Sequence, residues 1–318
     1  MKALIYGISG QDGAYLAQYL LELGYEVWGA SRDAATAQFG RLSRVGVLDS
    51  VRLLSASLGD FRSVLNSLAI AKPDEVYNLA GQSSVSLSFE QPVETMESIS
   101  TGALNLLEAI RFFGKEIKLY NAGSSECFGD TRSSRASEET PFHPRSPYAV
   151  AKSAACWLTT NYREAYGIFA CNGILFNHES PLRSERFVTR KVISAAARIA
   201  RGSKEMLRLG NLDIQRDWGW APEYVRAMWQ LMQLPNAQDV VIATGETNSL
   251  RSFVECSFAA VDLDWEKYVE HDVKLLRPTD IMTSYADPSK AAQILNWRAE
   301  AKMRDVVKLM LDAEMQLS

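Results

Sequence analysis

The stretch Lys2-Ala3-Leu4-Ile5-Tyr6-Gly7-Ile8-Ser9-Gly10-Gln11-Asp12-Gly13 decides the fold. A short apolar run reads as a strand, three glycines follow at three-residue spacing, and Ala14 to Leu23 then carries the apolar periodicity of a helix. Gly7 permits a tight turn, Gly10 lets backbone approach a pyrophosphate, and Gly13 permits close helix packing. The helix N-terminus behind them offers unpaired N–H groups and the positive end of a dipole. The spacing is G-x-x-G-x-x-G, and an ordinary glycine turn is the plain alternative. Its place between a strand and a helix favours a dinucleotide cradle, with Gln11 and Asp12 inside it.

Working outward, Tyr25 to Ser31 forms a second apolar strand about twenty residues past the glycines, where such a fold reads the adenosine ribose. Arg32 stands at its end. A guanidinium suits a 2′-phosphate, whereas a carboxylate would accept the 2′-hydroxyl of NAD, so the position favours NADP. Asp33 follows directly and could pair with Arg32 or take the hydroxyl itself, which keeps NAD open. Further strands are expected at Arg52 to Leu54, Glu75 to Leu79, Ile117 to Asn121, Phe169 to Leu175 and Val240 to Thr244, with helical patterns between them. That alternation predicts an α/β fold: a Rossmann-like doubly wound parallel sheet with a smaller C-terminal substrate-binding lobe. The expected division is 1–174 and 217–244 for the NADP-binding domain, with 175–216 and 245–318 for the lobe, the two packing tightly around a shared cleft. Ligands of doubly wound sheets sit at the carboxyl ends of strands, which directs attention to Leu79 and Ala80 and to the segment Asn121 to Glu126.

There the chemistry concentrates. Tyr148 and Lys152 are four apart and share a helix face, so the ammonium can stabilise a phenolate whose free pKa lies at about 10. Such a pair serves hydride transfer as an acid/base. Alone it would be a weak signal, since Y-x-x-x-K is common on amphipathic helices. Glu126 adds a base able to take a proton from carbon beside a carbonyl, which a simple alcohol dehydrogenase does not need. The combination points to internal redox coupled to elimination, the logic of a dehydratase.

Composition fits one enzyme of moderate size: 318 residues, 47% hydrophobic, 23% charged, net charge −4. The acidic balance without a basic run argues against nucleic acid, and no run of eighteen apolar residues argues for a membrane span. The first strand begins at the second residue, so no signal sequence is expected and the location is expected to be cytoplasmic. Cys127, Cys156, Cys171 and Cys256 lack C-x-x-C pairing and read as reduced, and the three scattered histidines make a metal site unexpected.

Longer strings carry a resemblance. GISGQDGAYLA (7–17), PRSPYAVAK (144–152), NYREAYG (161–167), GILFNHESP (173–181), FVTRK (187–191), LGNLDIQRDWG (209–219) and VIATGE (241–246) resemble, in order and over almost the whole chain, the GDP-mannose 4,6-dehydratase family of the extended short-chain dehydrogenases/reductases. The resemblance implies an NADP-dependent lyase that converts GDP-mannose to GDP-4-keto-6-deoxymannose, precursor of deoxysugars. It assigns Tyr148 to the O4 proton with Lys152 in support, Ser124 to a hydrogen bond with O4, and Glu126 to the C5 proton. Ser57 and Leu58 are implied at the adenosine end of the cofactor. Ser88, Asn177 and Glu179 are implied on the substrate, Lys191 and Arg216 on its diphosphate, and Arg277 on the diphosphate or nucleoside. It also implies pairing of the helices around Thr101 to Phe113 and Ala149 to Tyr166 in a homodimer or homotetramer.

The chain departs from the family pattern at several places. Ser124 stands for a threonine, Gly123 for a serine, Phe128 for a tyrosine, Asp33 for a second arginine, Ser57 for an aspartate and Asp280 for a glutamate. Ser125 takes the place where related sugar dehydratases carry an acidic aspartate, so Glu126 would perform both proton transfers or relay one through water. These departures keep another GDP-manno-configured sugar, such as a heptose, as an alternative substrate. An epimerase or reductase on the same fold is the other alternative, and Glu126 argues against it.

Overall fold

The computed structural model describes residues 1–114, 116–132 and 134–316. The chain runs through β1 (Lys2–Tyr6), α1 (Gln11–Glu22), β2 (Glu26–Ser31), α2 (Gly40–Arg44), β3 (Arg52–Ser55) and α3 (Phe61–Ala71). Next come β4 (Glu75–Asn78), α4 (Val85–Glu90), α5 (Pro92–Met96), α6 (Gly102–Phe113), β5 (Lys118–Ala122), α7 (Pro147–Tyr166) and β6 (Ala170–Leu175). The remainder holds β7 (Asn177–Glu179), α8 (Val188–Ala200), β8 (Leu207–Leu209), β9 (Gln215–Trp220), α9 (Ala221–Met232) and β10 (Val240–Ile242). It closes with β11 (Thr247–Ser249), α10 (Leu250–Ala259), β12 (Val269–His271), α11 (Ser289–Ile294) and α12 (Met303–Met315). Two compact units emerge: residues 1–127, 146–175 and 225–240, and residues 128–145, 176–224 and 241 onward.

The central sheet has seven strands in the order β10-β6-β5-β4-β1-β2-β3. From β3 to β6 every neighbouring pair is parallel. Strands β4 and β6 are buried along their whole length, as expected of strands covered on both faces. Strand order reverses between β1 and β4, and the turns after these two strands flank that switch point. One core cluster joins Leu4, Val76 and Leu119 of the sheet to Val64 and Leu68 of α3 and Leu106, Leu107 and Ile110 of α6. Each such fully buried aliphatic side chain contributes about 1.5–3 kcal/mol.

Helix α7 is the element that matters most for the chemistry. Ser146 caps it, accepting from the Ala149 N–H at 3.1 Å, Pro147 takes the first turn where no donor is needed, and Gly167 ends it at φ +67°.

In the second unit, β11-β9-β7 form a three-stranded sheet and β12-β8 a two-stranded one. Helices α8, α10 and α12 pack a second core that includes Val192, Ile193, Trp218, Phe253, Phe258, Val307 and Met310. Strand β9 lies in this unit and pairs with β7 and β11, so residues 217–224 group with the second unit, as do 128–145 and 241–244. The sequence pattern drew the division elsewhere because β7 and β11, three residues each, are too short to show an alternation. Among the described residues no helix is long and apolar enough to cross a membrane.

Candidate active site

The glycine turn is shaped by close backbone approach. Gly7 has φ +85°, and a Cβ there would lie 2.8 Å from the Leu79 carbonyl group. A Cβ on Gly13 would lie 2.4 Å from the Gly7 carbonyl oxygen, and one on Gly10 3.1 Å from the same atom. Substitution at Gly7 or Gly13 therefore forces the β1 turn away from its neighbours, whereas Gly10 keeps an open backbone surface at the N-cap of α1. This is a close-packed glycine cradle at the switch point, which fits a dinucleotide pyrophosphate. Gln11 is buried and donates to Asp12 at 3.0 Å. The Leu79 N–H donates to the Tyr6 carbonyl, and Leu58 is buried with its carbonyl held by Asn105 at 2.7 Å. Ser57 donates its N–H to Ser63 Oγ at 3.0 Å.

At the end of β2, Arg32 is exposed. The Asp33 carboxylate turns into its own loop, accepting from the Ala35 and Thr36 N–H groups and from the Thr36 hydroxyl at 2.6 Å. Sequence reasoning missed Arg41 on α2, whose guanidinium donates to the Ser9 carbonyl inside the glycine turn at 2.9 Å. The available signal was a cation nine residues past Arg32, in the stretch that follows β2.

The residues expected to act as acid and base sit where β5 ends. Lys152 is buried, and its Nζ donates to the Ala122 carbonyl at 2.7 Å, two residues before Ser124. It also lies 6.0 Å from the centre of the Tyr148 ring. That ring is 9% exposed and packs with Ile99, Ala103, Ala151 and Ala155. Burial lowers the Lys152 pKa below the ordinary lysine value, and Cys156, Cys127 and Asp12 offset part of that shift. Ser124 and Ser125 are buried, and Glu126 follows in a short helical turn with its N–H on Ser124 Oγ at 3.3 Å. A backbone tether thus carries Ser124, Ser125 and Glu126 just past the carbonyl that holds Lys152. Ser88, also expected near substrate, is fully buried and donates to the Val85 carbonyl at 2.6 Å.

In the second unit the expected nucleotide-sugar residues already have internal partners. Glu179 is 1% exposed, accepts from the Thr189 hydroxyl at 2.7 Å and pairs with Arg183 at 3.2 Å. Arg216 is buried, donates to the Ile281 carbonyl at 2.7 Å and meets Asp280 at 3.4 Å. Asp280 also pairs with Arg277 at 3.6 Å, so one carboxylate gathers both guanidinium groups. Lys191 donates to the Arg208 carbonyl at 2.6 Å, and Asn177 pairs with Trp218 in register. Asp217, within the quoted LGNLDIQRDWG string, went unread: it accepts from the Thr244 and Gly245 N–H groups at 3.0 and 2.8 Å. Burial pushes its carboxyl up to about 6. Among the described residues no cluster of His, Cys, Asp or Glu could hold a metal, and none of the four cysteines forms a disulfide.

A doubly wound sheet, a glycine cradle at its switch point and a Tyr/Lys pair beside the next strand end define a Rossmann-fold enzyme of the extended short-chain dehydrogenase/reductase class. A solved UDP-glucose 4-epimerase of Thermus thermophilus, in complex with NAD, superposes with a TM-score of 0.87 at 25% identity, covering 100% of both chains. The chain belongs to the GDP-mannose 4,6-dehydratase family, whose sequence profile matches residues 4–310. Arabidopsis thaliana GDP-mannose 4,6 dehydratase 1 is 48% identical, over 99% of this chain and 90% of its own length. The GDP-mannose 4,6-dehydratase of Sinorhizobium fredii is 44% identical, over 96% of this chain and 93% of its own.

Proposed function

We propose that this chain dehydrates GDP-mannose to GDP-4-keto-6-deoxymannose. The observation that carries the reading is the β5 cluster, where Glu126 accompanies the Tyr148/Lys152 pair within a family of dehydratases. NADP held in the Gly7–Gly13 cradle would supply the acceptor for the C4 hydride and the donor of the hydride to C6. Tyr148 takes the O4 proton, and the Lys152 ammonium lowers the cost of the phenolate it becomes. Ser124 orients O4. Once C4 is a ketone, the C5 proton is acidic and Glu126 removes it. Water leaves from C6 as its oxygen is protonated, by Glu126 itself or through a water, since Ser125 cannot serve as acid; hydride addition at C6 leaves an enolate that takes a proton at C5, balanced by the O4 proton that Tyr148 gives up. Burial of Tyr148, Lys152 and Ser124 keeps solvent from the proton-transfer groups while the 4-keto intermediate persists.

The cofactor reading is NADP: Arg32 is exposed at the end of β2, and Asp33 is occupied within its own loop. For substrate, Ser88 belongs to the first unit, and Asn177, Glu179, Lys191, Arg216 and Arg277 to the second. The cationic members suit a diphosphate, for which forked arginine contacts are strongest. The enzyme is read as cytoplasmic. It is also read as a homo-oligomer, at least a dimer, on the exposed apolar row Val150 and Trp157 of α7 together with Val93 of α5.

Incubation with a panel of GDP- and UDP-sugars, followed by mass spectrometry, tests the reading. The expected result is loss of one water from GDP-mannose with no net change in NADP. Loss of water only from another GDP-manno sugar would transfer the assignment to that sugar, and isomerisation without mass change would make the enzyme an epimerase.

A further inference from the structure

Three asparagines occupy equivalent places on adjacent strands: Asn78 of β4 is in register with Asn121 of β5, and Asn121 with Asn172 of β6. Being in register, they point to the same face of the sheet. Their exposures are 6%, 2% and 1%. Asn78 Nδ2 donates to Asn121 Oδ1 at 3.1 Å, and Asn121 Nδ2 to Asn172 Oδ1 at 2.9 Å. Asn172 Nδ2 then donates both to the Cys156 carbonyl of α7 at 3.1 Å and to Asp239 Oδ1 at 3.0 Å. All the donors run one way.

Asp239 explains the direction. A carboxylate only accepts, so it requires the amide nitrogen of Asn172 to face it. The Asn172 oxygen must then face Asn121, and the same choice passes on to Asn78. Asp239 is itself fixed by five donors: Arg163 Nη1 and Nη2 at 2.8 Å each, the Thr160 hydroxyl at 3.0 Å, and the Asn172 N–H and Nδ2 at 2.9 and 3.0 Å. Burial would raise its pKa, but Arg163, the Asn172 N–H and Thr160 outweigh burial and hold it below the ordinary aspartate value. It stays an acceptor.

The network grips α7 at three successive turns. Cys156, Thr160 and Arg163 all belong to that helix, and Lys152 lies one turn before Cys156. Lys152 in turn holds the carbonyl of Ala122, the residue after Asn121. A sheet of this kind needs no polar ladder for stability, and buried amides are costly unless fully paired. Here the ladder couples the helix that carries Tyr148 to the strand that carries Ser124 and Glu126.

We propose that the Asn78-Asn121-Asn172 ladder, oriented by Asp239, sets the height of α7 along β5, making Asn172 and Asp239 positioning residues for proton transfer by Tyr148. The inference rests on the acid/base reading of Tyr148 and Lys152 above. It is tested with full-length Asn172→Leu, which removes the ladder's link to α7, and Asp239→Asn, which keeps an oxygen for Arg163 but releases the amide orientation. The readouts are single-turnover reduction of bound NADP by GDP-mannose, its pH profile, and the KM for GDP-mannose.

The expected result is a single-turnover rate lower by about 10- to 100-fold, the scale of small misplacements, with the KM unchanged. The acidic limb of the profile should move up by about one pH unit as Tyr148 loses part of the ammonium's support. A merely structural ladder would lower the unfolding temperature and leave that limb in place, which would overturn the proposal. So would a rise in KM at constant single-turnover rate. Should Asn172→Leu fail to fold, Asp239→Asn gives the same decision. An inactive wild-type protein would instead refute the dehydratase reading, so the two failures are distinguishable.

Discussion

The residues expected to do chemistry and those expected to hold the nucleotide are secured in opposite ways. Lys152 is tied by one bond to a backbone carbonyl, and an ammonium has three donors, so capacity remains for a phenolate or a ligand. Arg216, by contrast, already meets two backbone carbonyls and the Asp280 carboxylate, and Glu179 is held by Thr189 and Arg183. The expected acid/base groups are thus organised in advance through the main chain. Arg216 and Arg277, expected at the diphosphate, are compensated by the Asp280 carboxylate, with which a diphosphate bound there would compete. Catalytic variants should therefore lose rate, and nucleotide-site variants affinity.

The largest effect should come from the first set. Glu126→Gln keeps the shape and removes the base, so product release should fall by roughly two to four orders of magnitude while slow NADPH absorbance still appears on the enzyme in a single turnover. Tyr148→Phe should suppress both signals. Near-normal product from Glu126→Gln would move the C5 base elsewhere and revive the epimerase or reductase reading.

Arg216→Ala tests the second set. Loss of one charged contact to a diphosphate should raise the KM for GDP-mannose by about 10- to 100-fold, with the single-turnover rate at saturation little changed. A lower unfolding temperature with an unaltered KM would show that Arg216 serves only the Ile281 and Asp280 contacts, and the comparison would break there.

Arg32→Ala sharpens the comparison within the first unit. It should weaken NADP by about tenfold or more and leave NAD nearly unchanged, because only the 2′-phosphate needs the guanidinium. Equal losses, measured by fluorescence titration, would remove Arg32 from that role.

The smallest effect on activity should come from Asp217, whose consequence is a pH dependence of stability. Its folded pKa of about 6 lies above the unfolded value of about 3.9, so its contribution is fully present below pH ~4 and is lost as pH rises through about 6. The effect is on the order of 3 kcal/mol. Asp217→Asn should flatten the denaturant-midpoint profile across that window, even though one of the two N–H bonds is lost because an amide nitrogen cannot accept. An unchanged slope would show that Asp217 ionises normally in the folded protein.

Much of this was legible in the chain. Gly7, Gly10 and Gly13 between a strand and a helix announced the fold because the cradle is local: its turn and helix start are consecutive residues. Tyr148 and Lys152 were legible because four residues on a helix is also a local relation. The asparagine ladder was not, since Asn78, Asn121, Asn172 and Asp239 meet only through the register of strands far apart in sequence. Nor were the short β7, β8, β11 and β12, with three residues each, or the burial of Glu179 and Asp217, which packing in the second unit imposes. The fate of Asp33 was likewise a matter of loop geometry: two N–H groups and a hydroxyl claimed its carboxylate.

The central claim is that one hydride leaves C4 and returns to C6 within a single active site. GDP-mannose carrying deuterium at C4 measures this directly, with the product read by mass spectrometry and NMR at substoichiometric NADP. The account predicts a product lighter by one water with deuterium in its C6 methyl group. Deuterium retained at C4 of a product of unchanged elemental composition, or accumulated in free reduced cofactor, would contradict it.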